Sequence, residues 1–257
     1  MPIVVSQKQR IYYEVEGDKG PFLILHAPAF LTLDCWYKSY YVDLLGDHFR
    51  LVLIDPLGQG NSDSPEEPEF YKIESRIEHV LAIKAELGID SFHFLGFGIG
   101  AQVGFMMAAY HTQHLRSLSI FGMHPYANTG ENSSLTANIQ LIREGLIKNY
   151  LNNHQEWNLA EDIQQKIICG SSQAYINSLE TSAQWQGVES HLPAMTTHAM
   201  LFTSTSEPIF LSVREAGRSM PHGRYLILPK IDYMNGLLNA DSVVPPLLEF
   251  TKRQRGH

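Results

Sequence analysis

Residues 92–110 read Phe-His-Phe-Leu-Gly-Phe-Gly-Ile-Gly-Ala-Gln-Val-Gly-Phe-Met-Met-Ala-Ala-Tyr. In this stretch a short apolar run ends at Leu95, three glycines follow at alternate positions, and an apolar segment comes next. The pattern predicts a sharp turn from a buried strand into a helix, because glycine adopts backbone angles that other residues avoid. The residue at the tip of the turn is Gly98.

Glycine-rich turns of this kind are also typical of dinucleotide-binding proteins, whose fingerprint is G-x-G-x-x-G. Counted from Gly96 and Gly98, the third glycine of that fingerprint would stand at Ala101, whereas the chain has Gly100, one residue earlier. Such fingerprints also follow the first strand of a domain, and this turn comes much later. The spacing therefore favours a nucleophile elbow, the strand-to-helix turn with the pattern G-x-S-x-G.

Strand and helix patterns alternate on both sides of the turn. The short connections between them predict a parallel sheet that is covered by helices on both faces. The predicted strands are 3–5, 10–15, 22–25, 49–54, 92–95, 115–121, 199–203 and 225–228, and the predicted helices are 33–45, 71–87, 210–220 and 242–252.

Two further motifs support the same interpretation. Residues 55–62 read Asp-Pro-Leu-Gly-Gln-Gly-Asn-Ser, and His26-Ala27-Pro28 follows the strand at 22–25. With the elbow, these motifs resemble the α/β-hydrolase superfamily, which has a D-x-x-G-x-G-x-S loop and a His-Gly-x motif at these places. The resemblance implies an α/β fold with a mostly parallel central sheet flanked by helices, and a helical cap inserted over the active site.

The composition and patterning of the sequence change after residue 124. Strand patterns disappear, polar residues become frequent, and helical spacing appears at 135–151 and 159–168. The same composition also fits a helical subdomain with a small core of its own. Combined with the resemblance, it predicts an α/β-hydrolase core at 1–124 and 196–257 and a helical cap at 125–195.

The resemblance also identifies three catalytic positions, and this chain departs from the family at two of them. The nucleophile position is Gly98, which has no side chain to attack a substrate. The acid position is Glu207, for which a solvated loop glutamate is the alternative interpretation. The base position is Tyr233, where the family has histidine, and the chain has no histidine between His222 and His257.

The oxyanion hole of the family also changes. Its first donor, the backbone N–H of Ile99, is retained. Its second donor falls at Pro28, which has no N–H, although a shift of one residue would move this donor to Ala29. From the motif positions, we predict a ligand site lined by Ala27, Pro28, Gly98, Ile99, His124 and Tyr233.

Other side chains at the predicted edge of the sheet offer acid–base chemistry. His26 and His124 each follow an apolar strand, where ligands bind in open α/β folds, although His26 matches a family position that is usually structural. Tyr233 and Glu207 together would form a phenol–carboxylate pair. No cluster of His, Cys and carboxylates suggests a metal, and we expect no cofactor.

Composition excludes several classes of function. The 257 residues carry a net charge of −8, which argues against a nucleic-acid-binding surface. The two cysteines, Cys35 and Cys169, are far apart, which favours a reducing compartment. No signal-peptide pattern is visible, and the apolar run at 94–110 is too short and too interrupted to span a membrane. We expect a soluble, cytoplasmic protein with a small-molecule partner; the sequence identifies no protein partner.

Three functions remain open. The first is binding of a small, largely apolar molecule between core and cap without serine-type hydrolysis, as in family members that have become hormone receptors. The second is an enzyme of the hydrolase or lyase type that acts on a small carbonyl or ester compound through noncovalent acid–base chemistry with Tyr233, Glu207 or His124. The third is an interaction scaffold without a ligand. A database label of hydrolase would rest on resemblance alone, since the residues do not support serine hydrolysis.

Overall fold

The computed structural model describes residues 2–127 and 133–254. Within them, eight strands form one sheet in the order β1-β2-β4-β3-β5-β6-β7-β8. The β1/β2 and β2/β4 pairs are antiparallel, and the remaining pairs are parallel. The predicted fold class is confirmed. The strands are β1 Ile3–Ser6, β2 Gln9–Glu16, β3 Phe22–His26, β4 Arg50–Ile54, β5 Phe92–Phe97, β6 Leu115–Phe121, β7 Ala199–Thr203 and β8 Gly223–Ile227.

Helices connect the parallel strands and pack on the two faces of the sheet. Two apolar clusters fill the interior, one containing α3 and α4 and the other containing α1, α2 and α11. The helices are α1 Asp34–Lys38, α2 Tyr41–Leu45, α3 Ile73–Glu86, α4 Ile99–Tyr110, α5 Ser133–Arg143, α6 Ile147–Asn152, α7 Glu161–Cys169, α8 Ser172–Ala183, α9 Phe210–Ser219, α10 Tyr233–Leu238 and α11 Ala240–Lys252.

Strand register brings the predicted motifs together at one edge of the sheet. His26 of β3 pairs with Gly96 of β5, and Phe97 of β5 pairs with Phe121 of β6. The carboxyl ends of these three neighbouring strands therefore meet at one edge, which is the edge where open α/β sheets bind ligands.

The prediction of one helix over 33–45 is wrong. The chain forms α1 and α2 with a break at Tyr40, whose φ is +63° and whose side chain is 67% exposed. Trp36 and Tyr41 are both buried, and their rings meet edge to face at 5.2 Å. In a continuous helix residues five apart point in different directions, so the break allows both rings to enter the core.

Helix α8 has no counterpart among the predicted helices. It shows no clear apolar period because three of its buried positions, Asn177, Ser178 and Thr181, are polar. These side chains form hydrogen bonds with groups of the core, so the helix docks through hydrogen bonds as well as through its buried apolar side chains. Helix α10 is a single short segment and was likewise not predicted.

Helices α5 to α8 lie between β6 and β7 in the chain, where the cap was predicted. Their aromatic side chains cover the loop after β3: the ring of Phe30 lies 4.9 Å from that of Tyr150 and 4.7 Å from that of Tyr175. The boundaries at 125–195 stay a prediction, and residues 128–132 of that range lie outside the described residues. Among the described residues, none of the helices is long and apolar enough to cross a membrane.

Candidate functional site

The elbow at Gly98 has the strained backbone of a nucleophile turn. Its φ and ψ are +55° and −118°, a conformation that is costly for any residue with a Cβ. The Gly98 N–H donates to the carbonyl of Phe121 at 3.1 Å, and the Gly98 carbonyl accepts from the N–H of Ala101 at 2.9 Å. A Cβ at this position would lie 3.0 Å from the Cβ of Pro28 and 4.0 Å from Cε2 of Tyr233. The structure therefore brings Pro28, Gly98 and Tyr233 together.

Tyr233 is held beside the elbow by its backbone and by its ring. Its N–H donates to Oε1 of Glu207 at 2.9 Å, at the start of α10. Its ring lies against Gly122, where a Cβ would come within 2.4 Å of both Cβ and Cγ of the tyrosine. Gly122 has a φ of +75°, so this residue combines a left-handed turn with a close approach that needs glycine. The sequence showed a glycine after β6 but not its contact with Tyr233.

Glu207 is a buried residue, 7% exposed, and the interpretation as a solvated loop glutamate is wrong. Besides Tyr233 N–H, it accepts hydrogen bonds at Oε2 from the backbone N–H of Ser204 at 3.0 Å and from the hydroxyl of Thr203 at 3.3 Å. Burial raises the pKa of this carboxyl, while the three donors lower it, and burial is the larger effect. The Tyr233 hydroxyl makes no hydrogen bond to Glu207, so the expected phenol–carboxylate pair does not form; the backbone amide makes the contact.

The first of the two predicted oxyanion donors is the backbone N–H of Ile99. The N–H of Ile99 opens the 12-residue helix α4 and makes no hydrogen bond to the described residues. Pro28 is buried and has no N–H, while the N–H of Ala29, the next residue, also makes no hydrogen bond to the described part of the chain. Ala27 is buried directly before Pro28, and its carbonyl accepts from Nδ1 of His26 at 3.0 Å.

His124 lies beyond β6 in a half-buried position. Its Nδ1 accepts from the N–H of Tyr126 at 3.3 Å, and its Nε2 makes no hydrogen bond to the described residues. Burial lowers the pKa of this imidazole, and hydrogen bonds to the backbone partly offset the effect. His124 is therefore neutral near pH 7 and has the form that accepts a proton.

A buried basic cluster lies behind the elbow, and sequence reasoning missed it. Arg76 of α3 is 1% exposed and donates to the carbonyl of Tyr71 at 3.1 Å and to Oγ of Ser178 at 2.8 Å. Within the described part of the chain, Arg76 has no carboxylate within ion-pair distance. Burial, followed by the charge of Arg76, lowers the pKa of His26 to about 4 and that of His79 to about 3. The apolar helical spacing of α3 concealed these residues.

A cavity of about 350 Å³ lies where core and cap segments meet. Its lining includes Lys38 and Asn235 from the core and Trp157 and Ile163 from the cap region, and none of the six predicted ligand-site residues. Among residues 2–127 and 133–254, no group of three His, Cys, Asp or Glu side chains is placed to hold a metal ion.

Comparison with known sequences identifies the family. The model of the alpha/beta hydrolase fold matches residues 20–166, more than half of the chain. A proline iminopeptidase from Lacticaseibacillus rhamnosus is 29% identical over 118 residues, which cover 44% of this chain and 38% of that protein. A proline iminopeptidase from Clostridium botulinum is 27% identical over 123 residues, which cover 48% of this chain and 41% of that protein. The matches thus span about two fifths of the length of these relatives.

Solved structures show the same fold over almost the whole chain. An enol-lactonase from Burkholderia xenovorans superposes with a TM-score of 0.83 at 19% identity and covers 98% of this chain and 100% of its own. MGS-M2, an alpha/beta hydrolase enzyme from a deep-sea metagenome library, has a TM-score of 0.85 at 16% identity, and the match covers 98% of this chain and 97% of MGS-M2. An esterase from Exiguobacterium antarcticum has a TM-score of 0.83 at 17% identity, and the match covers 97% of this chain and 98% of the esterase. The sheet order, the elbow and the matched family model together show that the chain belongs to the α/β-hydrolase family.

Proposed function

We propose that this α/β-hydrolase-like protein binds a small, largely apolar carbonyl compound between core and cap without hydrolysing it by a serine mechanism. The observation that carries the proposal is Gly98 at the tip of the elbow: the strained turn is retained and the attacking hydroxyl is not. Covalent catalysis of this type needs a nucleophile and a base within hydrogen-bond reach of each other. The side chain beside Gly98 is instead the phenol of Tyr233.

Two further observations support binding of a carbonyl compound. The N–H of Ile99 is left without a partner among the described residues at the positive end of α4, and it can donate to an oxygen. The names of similar proteins, iminopeptidase, enol-lactonase and esterase, all denote chemistry at a carbonyl group. The predicted cap at 125–195 supplies the second wall, and the aromatic rings of Tyr150 and Tyr175 lie over Phe30 there.

The second candidate is an enzyme that uses noncovalent acid–base chemistry, and His124 favours it. Of the three proposed acid–base groups, Glu207 is already engaged by three donors, and burial raises the pKa of Tyr233 to about 12, which makes the phenol a poor base near pH 7. His124 has a lowered pKa, and its basic nitrogen, Nδ1, accepts a single long hydrogen bond from the N–H of Tyr126 at 3.3 Å. In this candidate Nδ1 of His124 would exchange that hydrogen bond for a proton next to the bound carbonyl group.

The test combines retention with turnover. The purified protein is incubated with a small-molecule extract of its host cells, and mass spectrometry follows the compounds that stay bound and those that disappear. We expect one compound to be retained unchanged, together with no release of 4-nitrophenol from 4-nitrophenyl acetate above background. Because the exposed Cys169 thiol can react with activated esters, Cys169→Ser provides the control for that background.

Each alternative outcome identifies a different function. Sustained ester turnover by both proteins would overturn the proposal, since it would show hydrolysis without the elbow serine. A compound that is consumed and replaced by a product would favour the acid–base enzyme, and loss of that conversion in His124→Gln would assign the base. Neither retention nor consumption of any compound would favour a scaffold. We also propose a cytoplasmic location, since Cys35 and Cys169 are both free thiols in the structure.

A further inference from the structure

Tyr233 is fixed in a single place at the edge of the sheet. Its backbone amide is bound by Glu207, and its ring is pressed against Gly122, which leaves no space for a Cβ. Gly98 and Gly122 directly follow the paired residues Phe97 and Phe121 of adjacent strands. The ring of Tyr233 therefore covers the ends of β5 and β6 together, and Cε2 lies 4.0 Å from the point where a side chain on Gly98 would begin.

The hydroxyl of Tyr233 is available as a donor. Tyr233 is half-buried, and its hydroxyl makes no hydrogen bond to the described residues. Burial, followed by the charges of Asp232 and Glu207, raises its pKa to about 12. The hydroxyl thus keeps its proton near pH 7 and can donate it in a hydrogen bond, whereas it does not act as a base.

A second donor is the backbone N–H of Ile99, the residue that follows Gly98. The N–H of Ile99 has no acceptor among the described residues, and it belongs to the first turn of α4, where the helix dipole favours a negatively charged oxygen. Gly98 itself contributes only hydrogen atoms at Cα, so no side chain of its own fills the space between Pro28 and the ring of Tyr233. The ring of Tyr233 and the N–H of Ile99 are therefore both next to a position without a side chain.

We propose that the Tyr233 hydroxyl and the Ile99 N–H together bind one oxygen atom of the ligand, and that the ligand is a ketone, an ester or the enolate of either. The inference rests on the proposed function, because it names the chemistry of the molecule that is held there. Tyr233 then acts in this chain as a hydrogen-bond donor to ligand, at the position where the family has its histidine base. A carbonyl or enolate oxygen accepts both hydrogen bonds, whereas an ammonium group accepts neither.

A pair of probes of nearly equal shape tests the inference. Acetophenone has a carbonyl group where α-methylstyrene has a methylidene group, so only acetophenone accepts the two hydrogen bonds. Kd for each probe is measured by NMR titration of the ¹⁵N-labelled protein. We expect Tyr233→Phe to weaken acetophenone binding about two- to tenfold, the range for one neutral hydrogen bond, and to leave α-methylstyrene binding unchanged. The Ile99 amide proton is expected to shift downfield with acetophenone alone.

Tyr40→Phe is the matched control, because Tyr40 is a surface tyrosine, 67% exposed, outside the site. It should change neither Kd. If both probes bind and Tyr233→Phe leaves their Kd ratio as in the wild type, the hydrogen-bonding inference is overturned while apolar binding stands. If neither probe binds saturably, the inference and the proposed ligand class both fail. Equal losses for both probes in Tyr233→Phe would indicate a role in packing and would also overturn the donor role.

Discussion

At the scale of single residues, the residues that meet at the elbow fit one another in size and in backbone conformation. Glycine at position 98 accommodates the φ of +55° without a Cβ, so the turn survives although its hydroxyl is absent. The ring of Tyr233 lies against Gly122, which leaves space for it because glycine has no Cβ. A change at any one of these positions is therefore expected to reach its neighbours.

Gly98→Ser alone should not produce esterase activity. The new serine would have Pro28 and the Tyr233 ring as its nearest neighbours, and a phenol whose pKa is raised to about 12 does not remove its proton near pH 7. Turnover of 4-nitrophenyl acetate is the measurement, and Gly98→Ala is the control with the same Cβ but no hydroxyl. Both variants should lose about 1–3 kcal/mol of stability through backbone strain. Rapid turnover by the serine variant alone would refute the assignment of Tyr233 to the base position.

Gly122→Ala should destabilise the protein more than Gly88→Ala. Both glycines have a positive φ, +75° and +60°, so both substitutions introduce similar backbone strain. A Cβ on Gly122 would lie 2.4 Å from two atoms of Tyr233, whereas a Cβ on Gly88 would have nothing within 4 Å. We expect an excess cost of about 1–3 kcal/mol in urea unfolding from this overpacking. Equal costs would mean that the Tyr233 ring is not confined by Gly122.

At the scale of helices and strands, patterns with an apolar period were predictable and the others were not. All eight strands and helices such as α3 and α9 follow apolar patterns, and the sequence indicated each of them. Helix α8 buries the polar side chains of Asn177, Ser178 and Thr181 beside apolar ones, so apolar periodicity did not reveal it. Tyr40 broke a predicted helix because burial of the two rings beside it outweighed continuous helical geometry.

In the candidate site, too, some features were predictable from the sequence and others were not. Motif spacing indicated that Pro28, Gly98 and Tyr233 lie at the same edge of the sheet, because strand ends follow from local sequence patterns. The pairing of Glu207 with a backbone amide, rather than with a phenol, depends on side-chain directions that spacing does not specify. Contacts across elements, such as Arg76 with Ser178, are likewise determined only when the whole chain has packed.

Ser178→Ala should cost about 1–3 kcal/mol of stability, because it removes the acceptor of a buried, charged guanidinium. Oγ of Ser178 accepts from Arg76 at 2.8 Å, and this hydrogen bond connects α8 with α3. Ser119→Ala is the matched control: Ser119 is also buried, and its Oγ has no hydrogen-bond partner among the described residues. Its removal should be neutral or slightly stabilising. Similar effects of both variants on urea unfolding would show that Ser178 does not stabilise the docking of α8.

At the scale of the whole molecule, titration of buried groups links the fold to pH. His26 and His79 have lowered pKa values because burial and the nearby positive charge of Arg76 both disfavour protonation of the two imidazoles. Asp55 has the opposite effect on stability: burial raises its pKa to about 6 although the N–H groups of Leu33 and Asn61 bind its oxygens. The net pH dependence therefore contains contributions of both signs, and a single group must be isolated by substitution.

The substitution His79→Leu isolates the contribution of one titrating group to the pH dependence of stability. In the wild type the folded pKa of His79 is about 3 and the ordinary pKa is 6.5, so the unfolded chain binds more protons between these values. The free energy of unfolding contributed by this group therefore falls as pH drops from about 6.5 to about 3, and it is constant above and below that window. The leucine variant lacks this proton and also removes Nε2, a buried atom without a partner among the described residues. Its stability relative to the wild type should hence rise steadily as the solution is acidified.

Urea unfolding of both proteins at intervals between pH 8 and pH 3 measures this difference. The prediction concerns the difference between the two curves, in which the contributions of Asp55 and Glu207 cancel as far as the substitution leaves their surroundings unchanged. A difference that stays constant across the range would mean that His79 titrates with an ordinary pKa, and that the basic cluster behind the elbow is reached by water. A difference that grows toward low pH would instead show that the core and helix α8 exclude water from His79. Acid would then destabilise the protein at the buried basic cluster behind the elbow.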